Sequence, residues 1–350
     1  MAKRSAEPND SDRIEGFDHP RETFALVGQD DALRRAARAL RAGRPPSAWL
    51  ITGAPGVGKA TLAYRIARYL LAYGATDAGP EDLSVPADHP AARQVAARSH
   101  PGLLVLKRAV NPKTGKLMTV LSVDEVRRLA DFFGMTSGAG GWRVAIIDTA
   151  DDMNDNAANA LLKMLEEPPA NAMLLVLSNT PGRLLPTIRS RCQQLALRPL
   201  AEDVLLTELA HHLPDWKDAD RRALAKLAGG SLGLALQLAD EDTLALAREA
   251  ERLVDHAAAP NIPALLTLGD RVGRNAGALQ SFGGFLAQSL GERIRARAAT
   301  QTGIALRRWV DAWERVTANF VRAEALHVEP RQTIVSSVRA ISRAAERSPL

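Results

Sequence analysis

Residues 48–62 read AWLITGAPGVGKATL, and the order of residue types within them decides the fold. A short strand-forming run (48–52) leads into a glycine-rich turn. An amphipathic helix follows over 59–72, with Leu62, Ile66 and Leu70 on one face. Strand, turn and helix in this order form a phosphate-binding loop, whose backbone N–H groups and helix N-terminus cradle phosphate oxygens. Gly53, Gly56 and Gly58 supply the turn, and Lys59 supplies a cation for the terminal phosphates. The eighth position departs from G-x-x-x-x-G-K-[ST]. It is Ala60, which cannot ligate Mg²⁺, and Thr61 arrives one residue late. One residue along a helix is a rotation of about 100°, so the spacing predicts a weakened metal site.

Working outward, short apolar runs alternate with helical patterns at LLVLK (103–107), RVAIID (143–148), MLLVLS (173–178) and CQQLAL (192–197). Helices are expected over 122–134 and 154–166. This alternation predicts an α/β core, a parallel sheet flanked by helices. Residues 74–101 are rich in Ala, Pro, Asp and Gly and read as a long connection, partly helical near 90–98. After Pro199 the strand pattern stops. Residues 201–213 and 218–239 read as short helices of a small helical lid. From about 241 the pattern is all-helical, with Leu306, Trp309, Val310, Trp313, Val316 and Phe320 recurring every three or four residues as a bundle core. Ile334, Val335, Val338 and Ile341 form a second stripe. The expected organisation is a disordered tail (1–16), a nucleotide-binding-like core (17–198), a lid (199–240) and an all-α C-terminal collar (241–350).

The 350 residues carry 46% hydrophobic and 24% charged side chains, ordinary for a soluble globular protein. One cysteine, Cys192, excludes an internal disulfide framework and a four-thiolate zinc site. The first residues, MAKRSAEPNDSDRIEG, lack the apolar run of a secretory signal, and no window suits a membrane helix. A cytoplasmic protein with no membrane partner is expected. The net charge of +5 is compatible with a polyanionic partner such as DNA, and equally with arginine on solvated helix faces.

An NTPase also needs a strand that ends in carboxylates. VAIIDTAD (144–151) provides one, with Asp148 placed to hold magnesium through water. The next position, where a carboxylate would polarise the attacking water, is Thr149. Asp151 lies beyond the strand end and is a poor substitute.

The block NAANALLKMLEEPPANAMLLVLSNTPGRLLPTIRSRCQQLAL (156–197) resembles the clamp-loader branch of the AAA+ proteins, and LVGQDDAL (26–33) is similar to the family's opening motif, which flanks the adenine. The resemblance runs from about residue 20 to the end. It implies an AAA+ core, lid and collar. GSLGLAL (230–236) resembles the lid motif G-S-L-R-x-A-L, with Gly233 where motor subunits carry a sensor arginine. Ala60, Thr149 and Gly233 all depart from the motors. They match the loader's stator, a subunit with the motors' fold and no intrinsic ATPase.

Ser190-Arg191-Cys192 matches the motif whose arginine reaches the ATP of an adjacent motor, so the resemblance makes Arg191 a finger acting in trans. The other reading is a surface arginine paired with a carboxylate. Implied partners are the gamma and tau motors and the delta wrench of a bacterial loader and, through the complex, the sliding clamp and primer-template DNA. That places the chain with the nucleoid-associated replisome. No cofactor is required, although the retained Gly53, Gly56, Gly58, Lys59, Thr61 and Asp148 leave room for weak ATP or ADP binding. Relatives often carry a four-cysteine zinc module between the loop and the strand Asp. Residues 74–101 have no cysteine, and His89 and His100 are too sparse to replace it, so no zinc is expected. Two alternatives remain open: an active AAA+ motor or helicase loader, and a DNA-binding adaptor outside any loader.

Overall fold

The computed structural model describes residues 14, 16–110, 118–134, 141–274, 277–298 and 303–347. The expected tail lies, apart from Ile14 and Gly16, outside the described residues. Two compact units divide at Gln237/Leu238.

The first unit runs α1 (Asp30–Arg41), β1 (Ala48–Thr52), α2 (Lys59–Tyr73), α3 (Pro90–Ala96), β2 (Leu103–Leu106), α4 (Val123–Gly134), β3 (Arg143–Ile147), α5 (Asp155–Glu166), β4 (Ala172–Ser178), α6 (Pro186–Arg191) and β5 (Gln193–Ala196), followed by α7 (Glu202–His212), α8 (Asp218–Ala228) and α9 (Leu232–Gln237). The strands form one parallel sheet in the order β2-β3-β4-β1-β5. This is the α/β core expected from the sequence.

The inner strands β1 and β4 are buried at every position because helices cover both faces, whereas β5 at the sheet edge buries only Leu195. Side chains alternate between two cores. Trp49, Ile51, Ile146 and Leu175 join Leu62 and Ile66 of α2 on one face. Leu50, Ala145, Ile147 and Val176 join Leu129 of α4 and Leu161 of α5 on the other. α1 was not foreseen as a helix. Its inner face is Ala32, Ala36, Ala37 and Leu40, and its charged residues are segregated to the outer face.

Cations of α2 hold the long connection at Asp82 and the segment before α1 at residues 21–24. Arg65 donates to the C=O of Phe24 and of Asp82, and to the Asp82 carboxylate at 3.0 Å. Buried Arg68 donates to the C=O of Arg21 and of Thr23 at 3.0 and 2.8 Å, with its guanidinium over the Phe24 ring.

The second unit contains α10 (Glu241–Asp255), α11 (Ile262–Arg274), α12 (Ala278–Ala298), α13 (Ile304–Leu326) and α14 (Pro330–Arg347). Trp309, Val316 and Phe320 are buried there, as are Ile334, Val338 and Ile341. The expected stripe on α13 needs a correction at two positions. Val310 is exposed because one step turns it about 100° from Trp309. Trp313 lies at the margin of the bundle, where its indole N–H donates to the C=O of Ala287 at 2.9 Å. Phe320 stacks so close to α12 that a Cβ on Gly283 would lie 2.4 Å from its ring.

Candidate nucleotide pocket and surface arginine

In an open parallel sheet, ligands bind beyond the carboxyl ends of the strands where the winding changes direction. The phosphate-loop residues lie there. The loop leaves β1, next to β4 in the sheet. Gly56 and Gly58 have φ of +73° and +104°, conformations that side-chain-bearing residues rarely adopt. Leu62 N–H donates to the C=O of Gly58, which caps α2. The opening motif packs against the loop. The Gln29 amide donates to the C=O of Arg198 at 2.7 Å and accepts from its N–H at 3.1 Å. Leu26 borders Gly58.

Four consecutive loop carbonyls, from Gly53 to Gly56, hold donors from elsewhere in this chain. The Lys59 ammonium donates to the C=O of Gly53 at 2.9 Å and of Ala54 at 2.7 Å. Ser231 donates its hydroxyl to the C=O of Pro55 at 2.7 Å, and Gly233 N–H donates to the C=O of Gly56 at 2.9 Å. The Ser231 hydroxyl oxygen also accepts from Leu234 N–H at 3.2 Å. The start of α9 therefore lies directly on the phosphate loop. The approach admits no side chain on either partner: a Cβ on Gly56 would sit 2.5 Å from Leu234 N, and one on Gly233 would sit 2.8 Å from the Gly56 Cα. The sequence identified Gly233 only as a missing arginine. Its missing Cβ is what allows this backbone clasp.

Burial lowers the Lys59 pKa from 10.5 to about 8, against the opposing pull of Asp148 and Asp151. The sign follows from linkage: between about pH 8 and 10.5 the unfolded chain holds a proton that the folded chain has released, so stability rises with pH. Urea unfolding midpoints measured across that window should climb for the wild type. Lys59→Met should flatten the climb, and an equal climb in the variant would assign it to other groups.

Asp148 stands at the end of β3, its N–H donating to the C=O of Leu106. Thr149 follows with φ +56° and ψ +63°, and its hydroxyl turns back to the C=O of Asp148 at 2.8 Å. Asp151 is engaged elsewhere. Its carboxylate accepts from the Ser178 hydroxyl at 2.6 Å, from Asn179 N–H at 2.5 Å and from Thr180 N–H, which closes the end of β4. The carboxylate that an active motor would need in place of the missing Glu is thus a strand cap. Sequence spacing gave no sign of this contact across 27 residues. Ala60 and Thr61 are half-buried on the first turn of α2.

Arg191 ends α6 at the surface, away from the loop's own contacts. It donates to Glu166 at 2.9 Å and to the C=O of Thr187 at 3.3 Å. Adjacent Cys192 is buried, which raises its thiol pKa to about 11 and keeps it protonated. His89 and His100 have local roles, accepting the N–H of Ala91 and Gly102 respectively. Among the described residues no group of His, Cys, Asp and Glu is arranged to hold a metal ion, and no helix is long and apolar enough to cross a membrane.

The family model described as DNA polymerase III, delta subunit, matches residues 28–201. The chain is 39% identical over 184 residues to the DNA polymerase III subunit delta′ of Pseudomonas aeruginosa, covering 53% of each chain. It is 36% identical over 202 residues to the delta′ subunit of Escherichia coli, covering 58% of this chain and 57% of that one. To the E. coli tau subunit it is 32% identical over 225 residues, 63% of this chain and 33% of tau. The chain spans somewhat more than half the length of the delta′ relatives it matches. Through residues 28–201, the stretch that carries the phosphate loop, the closed β4 end and Arg191, the chain matches the model of the DNA polymerase III delta-subunit family and is similar there to delta′ subunits.

Proposed function

We propose that this chain is the delta′-type stator of a bacterial DNA polymerase III clamp loader. It joins gamma or tau motors and a delta wrench, and supports ATP-dependent loading of the sliding clamp onto primed DNA in the cytoplasmic replisome. It hydrolyses no ATP itself. The observation that carries the reading is the state of the loop, whose carbonyls 53–56 are taken by Lys59, Ser231 and Gly233. A nucleotide's phosphates would have to draw Lys59 from two carbonyls. They would then meet no hydroxyl at Ala60 and no carboxylate at Thr149. Drawing Lys59 from its two carbonyls costs affinity, so the ATP or ADP binding expected of this loop is weak. Arg191, on the surface at the end of α6, is the group this subunit contributes to hydrolysis, by reaching the ATP of a neighbouring motor. The AAA+ core (17–198), lid (199–240) and collar (241–350) divide the work, with the collar assembling the complex.

The test is co-purification with gamma or tau and delta subunits, with ATPase measured on the isolated chain and on the complex. The chain alone should show no turnover above a Lys59→Ala control. The complex should form and respond to clamp and primed DNA. Motor-like turnover by the isolated chain, abolished by Lys59→Ala, would overturn the reading.

A further inference from the structure

Helix α13 carries apolar side chains on two faces. Trp309, Val316 and Phe320 are buried in the bundle, but Val310, Trp313 and Val321 are 36%, 38% and 58% exposed. With half-buried Thr317 the exposed set recurs at spacings of three and four, so it shares one face, roughly a quarter turn from the buried one. Thr317 keeps its hydroxyl within the helix, donating to the C=O of Trp313 at 3.0 Å. Single apolar residues at a surface are ordinary, whereas this set lines up along about 16 Å of one helix and forms a patch.

Trp313 is fixed in place. Its indole N–H donates to the C=O of Ala287 at 2.9 Å, and a Cβ on Gly291 would lie 3.5 Å from the ring. A tryptophan held in this way loses little freedom when covered, and tryptophan is enriched among the anchors of protein interfaces.

Charge marks the two ends of the patch. Trp313 meets Ala287 and Gly291, and Phe320 meets Gly283, so α12 and α13 run antiparallel. Arg295 of α12 therefore lies level with the first turns of α13, where Arg307 stands. Both are exposed and neither has an acidic partner among the described residues. Glu324, a turn beyond Val321 on the same face, is exposed and has no cationic partner among the described residues. Exposed Glu314 flanks the middle.

We propose that this face of α13 docks an amphipathic helix of a neighbouring loader subunit. The inference rests on the reading above, in which the C-terminal helices assemble the complex. The docked helix lays apolar residues at i, i+3, i+4 and i+7 over Val310, Trp313 and Val321. Acidic residues on it stand over Arg295 and Arg307, and a basic residue stands over Glu324. Arg307 and Glu324 are about 25 Å apart along the axis, so the occupant supplies some five turns. Acidic residues suit a helix N-terminus and basic residues a C-terminus, which sets the docked helix parallel to α13. Nucleic acid is disfavoured, because Glu314 and Glu324 repel phosphate.

The experiment uses the full chain, fluorescein-labelled and titrated with gamma or tau and delta subunits. Val310→Asp combined with Val321→Asp alters only exposed side chains, so the urea midpoint should move little. Affinity for the other subunits should fall by at least about tenfold. Arg295→Glu combined with Arg307→Glu should mainly slow association, as the loss of rim charges does. On the unmodified chain, hydroxyl-radical oxidation of Trp313 should fall on assembly, a readout that does not depend on a variant folding. A chain that forms no complex overturns the proposed function and this inference with it. A complex that forms with wild-type affinity in the valine double variant, or leaves Trp313 oxidation unchanged, overturns this inference alone. If sedimentation velocity shows the isolated chain dimerising, and the valine double variant abolishes the dimer, the occupant is a second copy and the proposal fails.

Discussion

Arg191→Ala should leave the isolated chain folded and unchanged in stability, and should depress ATP hydrolysis in the loader reassembled around it. The first half follows from exposure. Arg191 and Glu166 are 37% and 50% exposed, and an ion pair in that setting contributes roughly 0–1 kcal/mol. The second half follows from charge development on the transferred phosphoryl group. A guanidinium supplied in trans accelerates that step by about 10³- to 10⁵-fold where it has been measured. Only the site that Arg191 serves is affected, so bulk turnover falls by that site's share, and single-turnover hydrolysis reads the effect directly. Arg191→Lys should not rescue it, because an ammonium keeps the charge and loses the planar fork. Glu166→Ala separates the two roles. It frees the arginine from its intrachain partner, so turnover should hold or rise if Arg191 works across the interface. A loader that assembles with Arg191→Ala and hydrolyses at the full single-turnover rate would refute the role.

The contrast between Arg191 and Asp151 marks how far the sequence could be read. The five strands, the phosphate loop and the α2, α4 and α5 helices follow from short apolar runs, from a period of 3.6 and from glycines that allow positive φ, all local signals. The partners of the candidate residues are not local. Glu166 is 25 positions before Arg191, and Asp151 meets Ser178, Asn179 and Thr180 after a helix and a strand. Nothing in the spacing identifies Asp151 as a cap in place of a base. α1 is a local signal as well: Ala32, Ala36, Ala37 and Leu40 recur at helical spacing with the charges on the opposite face, a 3.6-residue period legible within 30–41.

Gly56→Ala and Gly233→Ala should each destabilise the first unit, and their double variant should cost less than the sum. At Gly56 two penalties coincide. A left-handed φ of +73° costs an alanine about 1 kcal/mol, and its Cβ would lie 2.5 Å from Leu234 N and 2.6 Å from the Ser231 hydroxyl. Backbone atoms cannot swing aside as a side-chain tip can, so an overpacking cost of about 1–3 kcal/mol is added. At Gly233 only the second penalty applies, with the Gly56 Cα at 2.8 Å and its C=O oxygen at 2.9 Å. Gly56→Ala should therefore lower stability by about 3 kcal/mol and Gly233→Ala by about 2 kcal/mol. Gly182 has nothing within 4 Å of its Cβ position, and Gly182→Ala is the control expected to change little. Either clasp variant pushes α9 off the loop, so the second finds the clash already relieved, which is the non-additivity of residues sharing one contact. Urea unfolding of the four chains gives the cycle, and amide exchange at Gly233 should quicken in both single variants as its bond to the Gly56 C=O opens. Strictly additive losses, or exchange at Gly233 as slow as in the wild type, would mean that α9 does not close on the loop in solution. The proposed lack of hydrolysis would then rest on the residue types at Ala60, Thr149 and Gly233 alone.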